Sequence, residues 1–205
     1  SHNMAAVRNL CSRTILLADG ILLYSGPTEK TVNEYLRGNE RGVAEVSLEA
    51  YRSHRAIGGE FLQGLRVLGP DLQPQFQVKS GEPVTLEVLV KGAYPLRNPQ
   101  LGIGVNSSLG QRVFTVSTQL NAAEIPPIDG HAKLSCTIPS LPLAAGLYRV
   151  KLAFGSGGRD LDIIDDIPAF ELLADDIFST GRLPNSTQGV IYVSPQWAFE
   201  IGRQE

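Results

Sequence analysis

From about Gly59 onward, apolar and polar positions alternate in short runs separated by Gly, Pro, Asn and Asp. Alternation with period two marks a half-buried strand, because successive side chains leave opposite faces of the pleat. The pattern predicts strands over residues 60–68, 83–90, 101–106, 112–118, 131–138, 146–154 and 168–173. Val84, Leu86, Val88 and Val90 take one face of their strand while Thr85 and Glu87 take the other. Tyr148, Val150, Leu152 and Phe154 likewise point inward and leave Arg149 and Lys151 outside. Strands at this spacing, with a Leu141-Pro142-Leu143-Ala144-Ala145-Gly146 corner before Leu147-Tyr148, predict an all-β, immunoglobulin-like antiparallel sandwich over residues 56–205. One further strand is expected over 189–193, and Trp197, Phe199 and Ile201 follow it in an apolar tail. Such a tail must bury against its own sandwich or across a dimer partner, so residues 176–205 are a candidate for strand exchange.

Residues 1–36 follow a different grammar, that of a short α/β fragment. Met4, Ala5, Val7 and Leu10 have helical spacing, with Asn3 placed to cap the first turn. Residues 14–18 and 21–24 read as a hairpin about the Asp19-Gly20 turn. Thr28 can cap a last helix carrying Val32, Tyr35 and Leu36, which Gly38 ends. One hairpin between two helices buries too little to fold alone. The charged stretch 37–55, poor in large apolar residues, reads as a solvated linker with some helix.

Composition narrows the function. The chain has 205 residues, 42% of them apolar and 19% charged, with 21 Gly and 13 Pro, which excludes disorder and collagen. Its net charge of −3, without a run of Lys or Arg, argues against a nucleic-acid partner. The longest uncharged run, 183–199, is interrupted by Pro184, Asn185, Ser186, Gln188, Pro195 and Gln196, and so does not read as a membrane span. Cys11 and Cys136 provide neither a disulfide framework nor metal-ligand spacing, which fits a reducing cytosol. No internal repeat is evident.

Particular residues then resemble a known family. Ser1-His2-Asn3-Met4, Val7, Leu10, Cys11, Arg13, Ile15-Leu16-Leu17, Asp19-Gly20 and Ser25-Gly26-Pro27 look like the end of an ABC transporter ATP-binding domain, from its switch-histidine loop to a closing helix at Glu34-Tyr35-Leu36. The remainder resembles the C-terminal domain of the ATP-binding subunits of O-antigen polysaccharide exporters, the Wzt type. The cues are Ser80-Gly81-Glu82-Pro83, Gly110-Gln111-Arg112-Val113-Phe114, Ile138-Pro139 before the Leu143 to Tyr148 corner, and Gly181-Arg182-Leu183-Pro184. The resemblance implies a domain that recognises a lipid-linked O-antigen polysaccharide and confers substrate specificity on the exporter. It further implies a homodimer, a membrane-spanning exporter subunit as partner, and a place at the cytoplasmic face of the inner membrane of a Gram-negative bacterium. The chain has no G-x-x-x-x-G-K-[ST] phosphate loop, no signature loop and no acidic strand end, so no ATPase activity and no cofactor are expected of it; ATP and Mg²⁺ belong to the full-length parent. His2 would be the switch histidine of that parent, and in this chain reads first as a terminal or tag residue.

The candidate chemistry is sparse. Asp160, Asp162, Asp165 and Asp166, with Asp175 and Asp176, make acidic runs that read as solvated loop and turn residues before they read as a metal or acid/base site. His54 and His131 lack a flanking carboxylate, and Cys136 alternates with Leu134 and Ile138 as a small core hydrophobe. No metal site is expected. If Leu101, Ile103 and Val105 face inward, Gly102, Gly104 and Asn106 leave their outer face nearly bare. Beside Arg149 and Lys151 that would form a donor-lined trough for acidic or hydroxyl-rich ligands. Glycines that simply relieve packing give the alternative. Tyr94, Tyr192 and Trp197 are candidate sugar platforms, each also readable as core or interface. Against glycan recognition stand two other readings: a structural module for dimerisation or protein docking, and an enzyme acting on the glycan.

Overall fold

The computed structural model describes residues 7, 10–18, 20–28, 30–32, 44–51, 57–92, 94–184 and 188–199. In chain order the strands are β1 (Arg13–Ala18), β2 (Ile21–Pro27), β3 (Glu45–Ser47), β4 (Ile57–Gly58), β5 (Leu62–Leu68), β6 (Gln77–Lys79), β7 (Val84–Lys91), β8 (Pro99–Ser107), β9 (Arg112–Ser117), β10 (His131–Ile138), β11 (Gly146–Ser156) and β12 (Arg159–Leu173), with a 3₁₀ turn, η1 (Leu48–Tyr51), after β3. Strands β1 and β2 pair as the expected hairpin. The larger part of the chain is an antiparallel β-sandwich with open sheets, ordered β10-β7-β5-β3 and β4-β12-β11-β8-β9, β6 adding a parallel edge to β12.

The alternation dictates the core. Val84, Leu86, Val88 and Val90 of β7 face Leu101, Ile103 and Val105 of β8, Val150, Leu152 and Phe154 of β11, and Ile164, Ile167 and Phe170 of β12 in one cluster. On the outside of the smaller sheet Arg66 reaches Glu45 at 2.7 Å and Glu87 at 3.3 Å, and Lys133 reaches Glu87 at 3.5 Å, so opposite charges alternate across its four strands. The corner between β10 and β11 carries the chain from one sheet to the other. Tyr148 secures it by donating its hydroxyl to the Ala144 carbonyl four residues upstream (2.7 Å), as a tyrosine corner does in immunoglobulin-like sandwiches. Burial raises the Tyr148 phenol's pKa well above its ordinary value, with the neighbouring Tyr192 adding to the shift.

Several expectations need correction. Part of the stretch read as a solvated linker is structured, since β3 pairs with β5 and Leu48 of η1 is buried in the core. The acidic run is no loop: Asp160, Asp162, Asp165 and Asp166 lie within β12, reached from β11 by a tight turn at Gly157-Gly158, both with positive φ. The strand expected over 189–193 reduces to a single bridge, Leu143 to Ile191, flanked by bonds from Ala144 N to Val190 O and Tyr192 N to Pro142 O. Thr28, expected as a helix cap, instead donates its hydroxyl to the Cys11 carbonyl at 2.7 Å. Val7 and Leu10 are helical, as are Thr28 and 30–32, whereas Tyr35 and Leu36 of the closing helix lie outside the described residues.

Candidate functional site

The register of β8 against its neighbours builds the outer face of the larger sheet. β8 pairs with β11 so that Asn106 lies opposite Arg149, Gly104 opposite Lys151 and Gly102 opposite Ala153. On its other side Gly102 lies opposite Ser117, Gly104 opposite Thr115 and Asn106 opposite Arg112. The inward members, Leu101, Ile103 and Val105, are buried. The sequence reading that set Asn106, Arg149 and Lys151 on one exterior surface is therefore met in the structure.

A bulge completes that surface. Between the pairs Val150–Ile167 and Leu152–Ile164, two residues of β12, Asp165 and Asp166, oppose the single Lys151. Asp166 takes a positive φ of 61° there, and Ile164 and Ile167 both stay buried. Both carboxylates thus reach the cations of β11: Arg149 Nε contacts Asp166 Oδ1 at 2.5 Å, and Lys151 Nζ lies 3.0 Å from Asp165 Oδ1. The expected bare trough is only partly present. The Arg112 guanidinium lies across Gly104, bonded to Asn106 Oδ1 at 2.7 Å and Thr115 Oγ1 at 2.8 Å. A Cβ on Gly104 would fall 1.9 Å from an Arg112 nitrogen, whereas one on Gly102 would meet nothing nearer than 3.8 Å. Exposed backbone therefore floors the face at Gly102 and not at Gly104. The surface is a row of guanidinium, ammonium, amide and carboxylate groups, with the cations paired in place.

The remaining candidates are scattered. Tyr94 is about half exposed and sets its ring edge-on to Phe61, 5.8 Å between centroids at 83°. Tyr192 is only 9% exposed, packed against Phe178 beside the corner, so its face is not open to a sugar. Trp197 is 77% exposed and stacks on Phe199 in the tail. None of the three shares a strand with Asn106, Arg149 or Lys151. His2 and His54 fall outside the described residues, and His131 is exposed at the start of β10. Cys136 is half-buried against the core, which raises its thiol pKa. Among the described residues no three His, Cys, Asp or Glu side chains cluster as a metal site.

Two features were missed by sequence reasoning. Asp162 is wholly buried, and its Oδ2 accepts the backbone N–H groups of Phe61 and Leu62, each at 2.9 Å, which ties β12 of one sheet to the start of β5 in the other. An open cleft of about 500 Å³ lies at the beginning of β8, walled by residues 98–100 and by the loop 118–127. The only hint of it is the length of the strandless, proline-bearing segment between β9 and β10.

Fold and surface together define an immunoglobulin-like, two-sheet β-sandwich whose exterior carries a mixed polar row. The chain belongs to the Wzt C-terminal domain family, whose model matches residues 62–192. It is accordingly a component of a Wzt-type ABC exporter, and the matched domain is not the one that hydrolyses ATP. The fold is similar to that in a crystal structure of the C-terminal domain of wzt, with TM-score 0.54 and 10% identity over 78% of this chain and 90% of the other. Weaker likenesses are to a Parabacteroides merdae β-glucuronidase (TM-score 0.32, 16% identity, 57% of this chain and 13% of that one) and to a CARDB domain from Pyrococcus furiosus (0.30, 17%, 56% and 97%). No curated protein matches significantly.

Proposed function

We propose that the sandwich recognises, without chemistry, a lipid-linked O-antigen-type polysaccharide and so gives an ABC exporter its substrate specificity. The observation that carries this reading is the outer face of β8, β9, β11 and β12. There Asn106, Arg112, Arg149 and Lys151 stand beside Asp165 and Asp166 on hydrogen-bonded strands. A sugar hydroxyl both donates and accepts, so an array offering donors and acceptors side by side suits it. Held by rigid strands, the array loses little entropy on binding. Contacts of this kind are weak and wet singly, and a homodimer would raise their effective strength on a polymer.

Residues 1–36 then form the tail of the parent's ATP-binding domain. In support, the hairpin exposes Ile15, Leu17, Ile21, Leu22 and Leu23, an apolar surface that a two-stranded sheet cannot cover itself. In that setting His2 serves the parent's ATP and Mg²⁺ site, the partner is the membrane-spanning exporter subunit, and the location is the cytoplasmic face of the inner membrane. No helix among the described residues is long and apolar enough to cross a membrane.

The test is calorimetric titration of the chain with the delipidated O-polysaccharide of its own organism. Binding is expected, and Arg149→Ala and Lys151→Ala should each weaken it while the far-UV circular dichroism stays unchanged. Absence of binding to that polymer discards the proposal. A second reading, a structural dimerisation or docking module, is favoured by the exposed Trp197 and Phe199. It predicts that both alanine variants export normally, while truncation after Tyr192 abolishes self-association in sedimentation.

A further inference from the structure

We propose that the cleft between residues 98–100 and 118–127 is a binding subsite for an uncharged saccharide unit. The proposal rests on the glycan reading above and adds a place and a chemical class to it.

The lining comes from residues 98–100, 118–119 and 123–127, of which three amides and one carboxylate matter most. Among the described residues, the side chains of Asn98, Gln100, Gln119 and Glu124 have no hydrogen-bond or ion-pair partner in the chain. Their hydrogen-bonding capacity is free for a ligand. An amide gives two donors and an acceptor, which match vicinal hydroxyls. Ile125, Pro126 and Pro127 supply apolar surface for the C–H face of a pyranose. The volume, about 500 Å³, falls in the range of small-ligand sites, roughly 300–1,000 Å³.

The walls are built in advance. At the base, Leu96 and Ile128 exchange backbone bonds at 2.8 and 3.0 Å, and Thr118 N donates to Leu101 O at 2.9 Å while Leu101 N donates to Thr118 Oγ1 at 3.1 Å. The loop braces itself through Asn121 N to Ser117 O, Ala123 N to Thr118 O and Leu120 N to Ser117 Oγ. Asn98 and Ala122 hold positive φ angles of 52° and 51°, one on each wall, a backbone cost that non-glycine residues bear only where surrounding bonds fix them. Little ordering is left to be done on binding.

Charge sets the class. Among the described residues no Lys, Arg or His lines the cleft, and Glu124 makes it mildly acidic. A uronic acid or a phosphate-bearing sugar would face a carboxylate without a compensating cation. A neutral sugar meets only donors and acceptors. The cleft also joins the sheet face, since Gln100 and Gly102 share the outer side of β8 and nothing crowds Gly102. A glycan seated in the cleft can therefore continue along the strand toward Arg112 and Asn106.

The test is amide NMR of the isotope-labelled chain titrated with neutral trisaccharides (mannotriose, galactotriose, chitotriose) and with acidic ones (trigalacturonate, a sialylated trisaccharide). Expected are shifts at 98–100 and 118–127 with at least one neutral sugar and none with the acidic set. Gln100→Ala and Gln119→Ala should each weaken binding on the order of tenfold, the effect of one lost hydrogen-bonding partner, with the amide spectrum otherwise intact. Glu124→Lys should admit the acidic sugars. Shifts confined to Asn106, Arg149 and Lys151, with both glutamine variants unchanged, overturn the cleft but spare the glycan reading. Binding of acidic sugars alone overturns the class. No shift anywhere with any member, together with no binding of the native polymer, removes both.

Discussion

The buried carboxylate of Asp162 offers the sharpest test of how the two layers are joined. It sits on β12 in the larger sheet and accepts N–H groups from Phe61 and Leu62 at the start of β5 in the smaller one, each at 2.9 Å. Asp162 and Leu62 have no solvent exposure and Phe61 only 7%, so water cannot readily replace the lost acceptor. Asp162→Ala takes the acceptor oxygen from two buried donors, and each buried donor deprived of its partner costs about 1–3 kcal/mol. Two such donors span about 2–6 kcal/mol, and the middle of the lower half of that span, which allows for partial relaxation, is a loss of about 3 kcal/mol, a large share of a typical stability of roughly 5–15 kcal/mol. At about 2–4 °C per kcal/mol for a chain of this size, Tm should fall by about 6–12 °C. Asp162→Asn keeps one acceptor oxygen in place and should lose clearly less. Urea unfolding followed by far-UV circular dichroism is the assay, because the single tryptophan, Trp197, is exposed in the tail and reports little of the core. A loss below about 1 kcal/mol in the alanine variant would refute the reasoning, since it would mean the two sheets do not depend on this tie.

Three further outcomes follow from the packing. Gly155→Ala puts a Cβ 2.6 Å from the Arg159 carbonyl oxygen in the β11–β12 hairpin and should cost about 1–3 kcal/mol in urea, whereas Gly102→Ala, nearest neighbour 3.8 Å, should stay within about 0.5 kcal/mol; equal effects would contradict the geometry. Tyr148→Phe removes the bond to Ala144 O and should lower stability by about 1 kcal/mol by the same assay, a null result meaning the corner holds without its hydroxyl. Asp176 accepts N–H bonds from Thr180 and Gly181, which hold its carboxyl below the usual aspartate pKa. A depressed folded pKa means that its support of the 177–181 turn is complete above the ordinary aspartate value, about 3.9, and fades as pH falls through the lower folded value. An NMR titration should show the Thr180 and Gly181 amides moving together at that lower pH, and movement at the ordinary value would show the bonds to be unimportant.

Strands that alternate cleanly over six or more residues were legible from the sequence, because burying one face fixes both their period and their register. The fold class and the outward placement of Asn106, Arg149 and Lys151 followed from that alone. The first half of β12 was not legible, for a definite reason: its bulge at Asp165-Asp166 breaks the period, and its four aspartates mimic a loop. The Gly157-Gly158 pair between Phe154 and Leu161 was the hairpin signal that could have found it. Short edges such as β3 and β6 owe their pairing to neighbours far along the chain, which local pattern does not encode. The occupant of the trough was hidden likewise, since Arg112 reaches across Gly104 only because β9 pairs in one particular register.

That self-occupancy bears on what the face selects. A row of unpaired cations would draw any polyanion, with strength that depends on salt more than on sugar identity. Here Arg149 and Lys151 are each matched by a carboxylate carried on the bulge, and Arg112 is held by an amide and a hydroxyl. An anionic glycan would have to displace Asp165 and Asp166 to gain those cations, exchanging one partly exposed ion pair for another at little net gain. A hydroxyl-rich neutral chain can instead add hydrogen bonds to groups already oriented by their pairs. The cleft at the other end of β8, which Glu124 makes acidic and which no cation lines among the described residues, tilts the same way. Under the proposed glycan reading, this geometry argues for a hydroxyl-rich ligand over an acidic one, and the bulge in β12 supplies the reason.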